Sequence, residues 1–344
     1  MMYDASEIGL SWAGSLETLS TVPMARCLRL DNGVLKDSTG ASRCQIILEE
    51  TIADNTLGKL VWIKRSTGST YKDLLLKKPI SQKHSKQEAV IQWLVNKTLS
   101  QHGLGEHCPK VYDIFSYTDN IWFSMEPIYS APILNDYMKS LSTWLKPNVE
   151  NGLSLLKIIA QIAMACFVLE QNIGFNHRDL KPDNILIKLD LIKPHCLRWK
   201  DEFEIKIASS HTAILVDFGF SCLGPGRVPW IQSGDNVLPP FDACPKVGRD
   251  IFMILVFLLW RKDVRESLSK EHLEFFKESL NLSTDKLSQM MNLNKNPIDW
   301  IYILITERGF KCPSLDPLVW LKSCALKFPE VLSIKLSSSA SPPF

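Results

Sequence analysis

The sequence predicts an α+β protein in two lobes: a small antiparallel-sheet lobe carrying one helix, then a larger, mainly helical lobe. Three observations carry this. Between Cys44 and Lys78, strand-like runs follow one another across short turns, as in an antiparallel meander. From Lys83 to Ser100 the period changes, with Val90, Ile91, Leu94, Val95 and Leu99 recurring at helical spacing. After Pro127 the strand signals thin out and long apolar helical segments take over.

Residues 1–41 lack a clear period and are set apart as an appendage. Within them Leu28, Leu30 and Val34 suggest a short strand or hairpin around the turn signal Asp31-Asn32-Gly33. The first lobe is assigned to 42–127. Its strands are read at Gln45–Thr51, Gly58–Arg65 and Tyr71–Lys78, followed by the helix and by strands at Val111–Phe115 and Ile121–Met125. The second lobe is assigned to 128–330. It begins with a short amphipathic helix from Leu134 to Trp144 and a long apolar helix from Leu153 to Asn172, closed by Gly174. Short strands at Ile185–Leu189 and Ala213–Val216 flank a mixed-charge insertion at about 190–210, and helices dominate from Asp250 to about Trp320. The Ser- and Pro-rich segment within 331–344 reads as a disordered tail.

A chain of 344 residues suits one large domain or two lobes, and a formal charge of +2 calls for neither a nucleic-acid nor a membrane partner. Met1–Leu19 has no basic segment leading into an apolar one. The most apolar run, Ile251–Trp260, is about half the length needed to span a bilayer and reads as a buried helix. Nine cysteines, an odd number without any Cys-x-x-Cys, predict free thiols in a reducing compartment, hence a cytoplasmic setting.

The chemistry is concentrated in two short stretches. His177-Arg178-Asp179-Leu180-Lys181-Pro182-Asp183-Asn184 sets a carboxylate two residues before a lysine and five before an amide. Asp217-Phe218-Gly219 follows the apolar run Ala213–Val216. One amide oxygen and one carboxylate suit Mg²⁺, which takes hard oxygen ligands and few of them from protein. The octet resembles the catalytic loop of eukaryotic-type protein kinases, and the triplet resembles their metal-binding loop.

The resemblance runs from about residue 44 to 325. It implies a bilobal protein-kinase-like fold and ATP- and Mg²⁺-dependent transfer of a γ-phosphoryl group to Ser/Thr hydroxyls of protein substrates. By the same resemblance Asp179 is the catalytic base, Lys181 meets the transferring phosphate, and Asn184 and Asp217 hold the metal. Arg178 is implied to meet a phosphate on the activation segment, for which Ser221 and Ser233 are the hydroxyl candidates. Lys77, with Lys78 as the alternative, is implied to anchor ATP, with Glu88 as its partner. Asn55, Gly58 and Leu60 belong to the phosphate-covering loop, Leu75 lies over adenine, Met125 is the gatekeeper and Glu126 opens the hinge. Asp250 is implied to brace the catalytic loop.

The chain departs from the family in several places, one of them the thirty-eight residues from Asp179 to Asp217, longer than the family norm. Only the third glycine of Gly-x-Gly-x-x-Gly survives in Ala53-Asp54-Asn55-Thr56-Leu57-Gly58, Leu75 replaces a small alanine, and Val237-Leu238-Pro239-Pro240 lacks the glutamate of Ala-Pro-Glu. These departures are what an inactive binding module of the same ancestry would show. A small-molecule kinase is a third reading.

Overall fold

A computed structural model describes residues 28–37, 39–55, 58–67, 70–79, 85–117, 120–140, 147–224, 231–232, 246–306 and 315–337. Ser233, Val237–Pro240, the chain up to residue 27 and the tail from 338 lie outside the described residues.

Seven strands between Leu28 and Met125 build a barrel. Its strands are β1 (Leu28–Asp31), β2 (Val34–Lys36), β3 (Ser42–Asn55), β4 (Gly58–Thr67), β5 (Thr70–Pro79), β6 (Val111–Tyr117) and β7 (Asn120–Met125). Their order around the barrel is β1-β2-β3-β4-β5-β7-β6. Neighbours are antiparallel except β1 and β6, whose parallel pairing, Leu28↔Phe115 and Arg29↔Ser116, closes the ring. Alternation drives the closure: Ile46, Val61, Ile63, Leu74 and Leu76 point inward with Leu30, Leu35, Phe115 and Trp122. The Asp31-Asn32-Gly33 turn does form, with Asn32 at φ 46° and Gly33 at φ 75°, and it joins β1 to β2.

Two expectations about the fold are corrected. The sheet is a closed seven-stranded barrel, not a small lobe sheet, because the β1–β2 hairpin adds two strands that complete the ring. The remainder is mixed and not mainly helical. Residues 190–210 are no insertion between short strands but the body of two long ones, β9 (Ile185–Trp199) and β10 (Phe203–Leu215). With β13 (Ser333–Leu336) they form a three-stranded sheet, and β8 (Phe175–Asn176), β11 (Cys222–Leu223) and β12 (Ile231–Gln232) form another. Burying one face of each strand explains this: Leu197, Trp199, Ile205 and Ile207 are buried, while Arg198 and Glu204 pair across the other face at 2.9 Å.

The helix α1 (Ser85–Gln101) packs against the barrel and against α3 (Val149–Ile173). Between them lies the short α2 (Leu134–Ser140). Helix α3 begins at Asn148, whose side chain accepts from the Glu150 N–H, and ends at Gly174 in the left-handed conformation. It is the one helix among the described residues long and apolar enough to cross a membrane, and 83% of its apolar window is buried within the protein. Helix α4 (Arg249–Trp260) contains the expected apolar run and is buried from Arg249 to Leu259. Five further helices follow among the described residues, α5 (Lys262–Ser267), α6 (Lys270–Leu280), α7 (Thr284–Met291), α8 (Ile298–Thr306) and α9 (Pro317–Lys327).

The cysteines also need a correction. Cys44, Cys108, Cys166, Cys196 and Cys324 are free thiols, but Cys222 is disulfide-bonded.

Candidate active site

Strand parity selects the lysine. With Leu74 and Leu76 inside the barrel, Leu75 and Lys77 face the opposite side, and Lys78 turns back toward the Trp122 ring, 6.0 Å from its centroid. Lys77 Nζ lies 2.6 Å from Glu88 Oε1 and 2.9 Å from Asp217 Oδ1. Glu88 sits in the first turn of α1 and is buried. Burial alone would lower the Lys77 pKa, but the Glu88 and Asp217 carboxylates outweigh it and raise the lysine above its ordinary value. Lys77 in turn holds the Asp217 carboxyl below the usual carboxylate range, against the opposing effect of burial.

The octet His177–Asn184 is held by Asp250 on α4. Its Oδ2 accepts from the His177 backbone N–H at 2.8 Å and its Oδ1 from that of Arg178 at 3.0 Å. Tyr302 Oη donates to the Arg178 carbonyl at 2.7 Å. His177 Nε2 donates to the Val216 carbonyl at 3.0 Å and its ring packs on Phe218, linking octet to triplet. Arg178 at φ 67° and Asp217 at φ 63° adopt a left-handed backbone that such residues rarely take, so these surrounding bonds fix an unfavourable geometry. Arg178 itself is buried.

Around Asp179 the polar groups converge. Lys181 Nζ donates to Asp179 Oδ2 at 2.8 Å, and Asn184 Nδ2 donates to the Asp179 carbonyl at 2.8 Å and to Oδ2 at 2.9 Å. With its amide nitrogen committed to these two acceptors, Asn184 has its amide oxygen left for a cation. The Asn184 carbonyl accepts from the Val216 N–H at 3.1 Å, one residue before Asp217. Asn184 and Asp217 both line the same cleft, and Asp217 has a second carboxylate oxygen besides the one on Lys77. One amide oxygen and one carboxylate fit Mg²⁺.

That cleft is a cavity of about 400 Å³. Its apolar walls include Leu60, Leu75, Met125, Leu186 and Val216, and its polar end holds Lys77, Asn184 and Asp217. Leu75 and Met125 face each other across β5 and β7. An apolar slot with charge at one end suits a flat ring carrying an anionic tail. Glu126 lines it too, although its backbone N–H is committed to the Lys110 carbonyl at 2.8 Å. Asn55 and Gly58 form the last paired position of β3 and β4, and Lys59 and Leu60 follow directly in the wall. Of the hydroxyl candidates, Ser221 is buried and donates to the His177 carbonyl at 3.2 Å.

Sequence reasoning missed Leu186, Val216 and Gln92 as wall residues. For Leu186 the signal was strand parity in Ile185–Leu189. Gln92, whose Nε2 lies 3.4 Å from Met125 Sδ, carried none. A scan against protein-family models and a search of the curated proteins each find no match to the chain.

Proposed function

We propose that this chain is an ATP- and Mg²⁺-dependent protein kinase that phosphorylates Ser/Thr hydroxyls of protein substrates. The observation that carries the reading is the contact of Lys77 with both Glu88 and Asp217 at the charged end of an apolar cleft. A half-buried lysine kept charged by two carboxylates from different elements has little purpose in packing, but it suits the binding of phosphates. Phosphoryl transfer asks the protein for positioning and charge neutralisation more than for covalent chemistry.

In this reading the cleft walls hold the adenine, and Lys77, fixed by Glu88, holds the α/β-phosphates. Asn184 and Asp217 are the groups that would hold Mg²⁺, which neutralises phosphate charge when bound. Asp179 accepts the hydrogen bond of the acceptor hydroxyl and orients it for attack. Lys181 moves from Asp179 toward the transferring group and offsets its charge. The lysine loop-partner pattern favours Ser/Thr over Tyr. ATP and protein acceptors coexist in the cytoplasm, which the reading takes as the place of work. The free thiols agree with that, and the disulfide at Cys222 does not.

The test is transfer of labelled γ-phosphate from ATP to a basic protein and to the chain itself, with and without Mg²⁺. Wild type is expected to transfer only with Mg²⁺, and Asp179→Asn to lose about 10²- to 10⁴-fold, the usual worth of a positioned base. Equal transfer by wild type and Asp217→Asn would overturn the scheme. A folded wild type that neither transfers phosphate nor binds Mg-ATP would replace it with the binding-module reading.

A further inference from the structure

Outside the cleft, one side-chain cluster combines buried imidazoles with a carboxylate. A 3-10 turn, Gly105–His107, follows α1, and it meets the β9–β10 hairpin. Glu106 Oε1 lies 2.7 Å from His195 Nδ1 and 4.0 Å from His107 Nε2, and the ligand atoms of all three residues lie within 4.8 Å of one another. Both histidines are buried, while Glu106 is open to solvent on one side.

We propose that Glu106, His107 and His195 bind a divalent transition-metal ion of the zinc class, with solvent in the remaining position.

Three features support it. The His107 ring is already set for ligation: its Nδ1–H donates to the Ala213 carbonyl at 2.7 Å, which leaves Nε2 as a bare lone pair. That is the outer-shell arrangement that orients metal-binding histidines. Second, His107 Nε2, the ligand atom on that ring, is buried and without a hydrogen-bond partner, a cost to the fold that a cation would remove. Third, four-coordinate zinc with bonds of about 2.0–2.1 Å separates its ligand atoms by roughly 3.3 Å. The separations here bracket that value, so small side-chain adjustments suffice.

The turn is stiff where it must be. Asn96 Nδ2 donates to the Gly105 carbonyl at 3.2 Å and to the Cys108 carbonyl at 2.8 Å. The competing cation is Lys193, whose Nζ is 2.6 Å from Glu106 Oε2. It occupies the other carboxylate oxygen and leaves Oε1 for the metal, and Asp190 at 3.3 Å offers it a second partner. An ion here would tie the end of α1, the helix that carries Glu88, to the hairpin whose second strand leads into Asp217.

The test uses the full chain, stripped with a chelator and titrated with Zn²⁺ and with Co²⁺ in excess Mg²⁺, which fills hard-oxygen sites and competes poorly for imidazole. Calorimetry is expected to give one zinc per chain. Cobalt is expected to give the ligand-field bands of a low-coordinate nitrogen and oxygen site, without a thiolate charge-transfer band. Glu106→Gln, a change at a solvent-facing position, should weaken binding about tenfold or more, as should His195→Gln. If His195→Gln fails to fold, Glu106→Gln alone decides. The proposal falls if the folded wild type shows no saturable one-to-one binding, if Glu106→Gln binds as wild type does, or if cobalt reports thiolate ligation.

Discussion

Lys77 contacts a residue from helix α1 and a residue from the loop after β10, so its side chain reports whether both are in position. Removing either carboxylate has unequal consequences. On the proposed kinase reading, Glu88→Gln leaves Lys77 paired with Asp217, so turnover at saturating ATP should fall, but less than in Asp217→Asn, which on that reading loses a metal ligand as well as a partner. Steady-state rates of the two variants check the order. A second residue-scale prediction concerns Glu170, whose carboxyl burial pushes up from 4.5 to about 9, with Asp250 and Asp316 adding to the effect. Between those values the folded chain keeps a proton that the unfolded chain releases. This contribution to stability is therefore full below the lower value and is lost as pH rises through the window, by up to about 1.4 kcal/mol per pH unit. Denaturant titrations across the window should show that slope in wild type and lose it in Glu170→Gln; parallel curves would refute it. At this scale much of the site was legible. Asp179, Lys181, Asn184 and Asp217 could be named because their chain order is tied to a chemistry. Lys77 is preferred over Lys78 on the pattern it matches, and the register of β5 places the two lysines on opposite faces.

Helix α3 delivers the chain to the octet His177–Asn184, and its exit depends on Gly174 at φ 56°. A Cβ there would sit 2.3 Å from the Gly224 carbonyl oxygen and 2.8 Å from its carbon, both backbone atoms that cannot yield cheaply. Gly174→Ala should therefore cost more than the ~1–2 kcal/mol of the left-handed backbone alone, read by urea denaturation. It should also lower turnover more than ATP binding, since the octet begins three residues later. This helix end could be read from the sequence, because a glycine after an apolar periodic run is a stop signal with a mechanism. The β9–β10 hairpin could not. Its outward face carries lysines, glutamate and arginine that read as mixed charge. Its strands also slip register between Ser209 and His211, where Leu191 and Ile192 stand exposed. Two interrupted halves looked like two short strands with something inserted between them.

For the molecule as a whole, the barrel depends on polar contacts as well as apolar alternation. Asp113 is buried on β6 and accepts from Arg65 on β4 through Nε at 2.8 Å and Nη2 at 3.2 Å, and from Ser124 Oγ at 3.1 Å. Asp113→Ala would leave the guanidinium without its carboxylate and should cost about 3 kcal/mol. A thermal or denaturant midpoint close to wild type would contradict this. The change of period near Lys83 marked the start of helix α1 in the sequence. The ring closure was not legible, since the pairing of Leu28 with Phe115 joins residues far apart along the chain and leaves no local mark. The last strand has a consequence for how the protein is made. Residues Ser333–Leu336 pair with Phe203–Lys206, more than a hundred positions upstream. During synthesis the barrel can close as soon as β7 emerges, whereas the sheet that runs into Asp217 keeps a bare edge until Ser333–Leu336 has left the ribosome. Distant pairings of this kind form slowly and expose unpaired strands meanwhile. The nascent chain should thus carry a finished barrel beside an adhesive hairpin, and that hairpin is where a holding chaperone would bind and where stalled translation would seed aggregation.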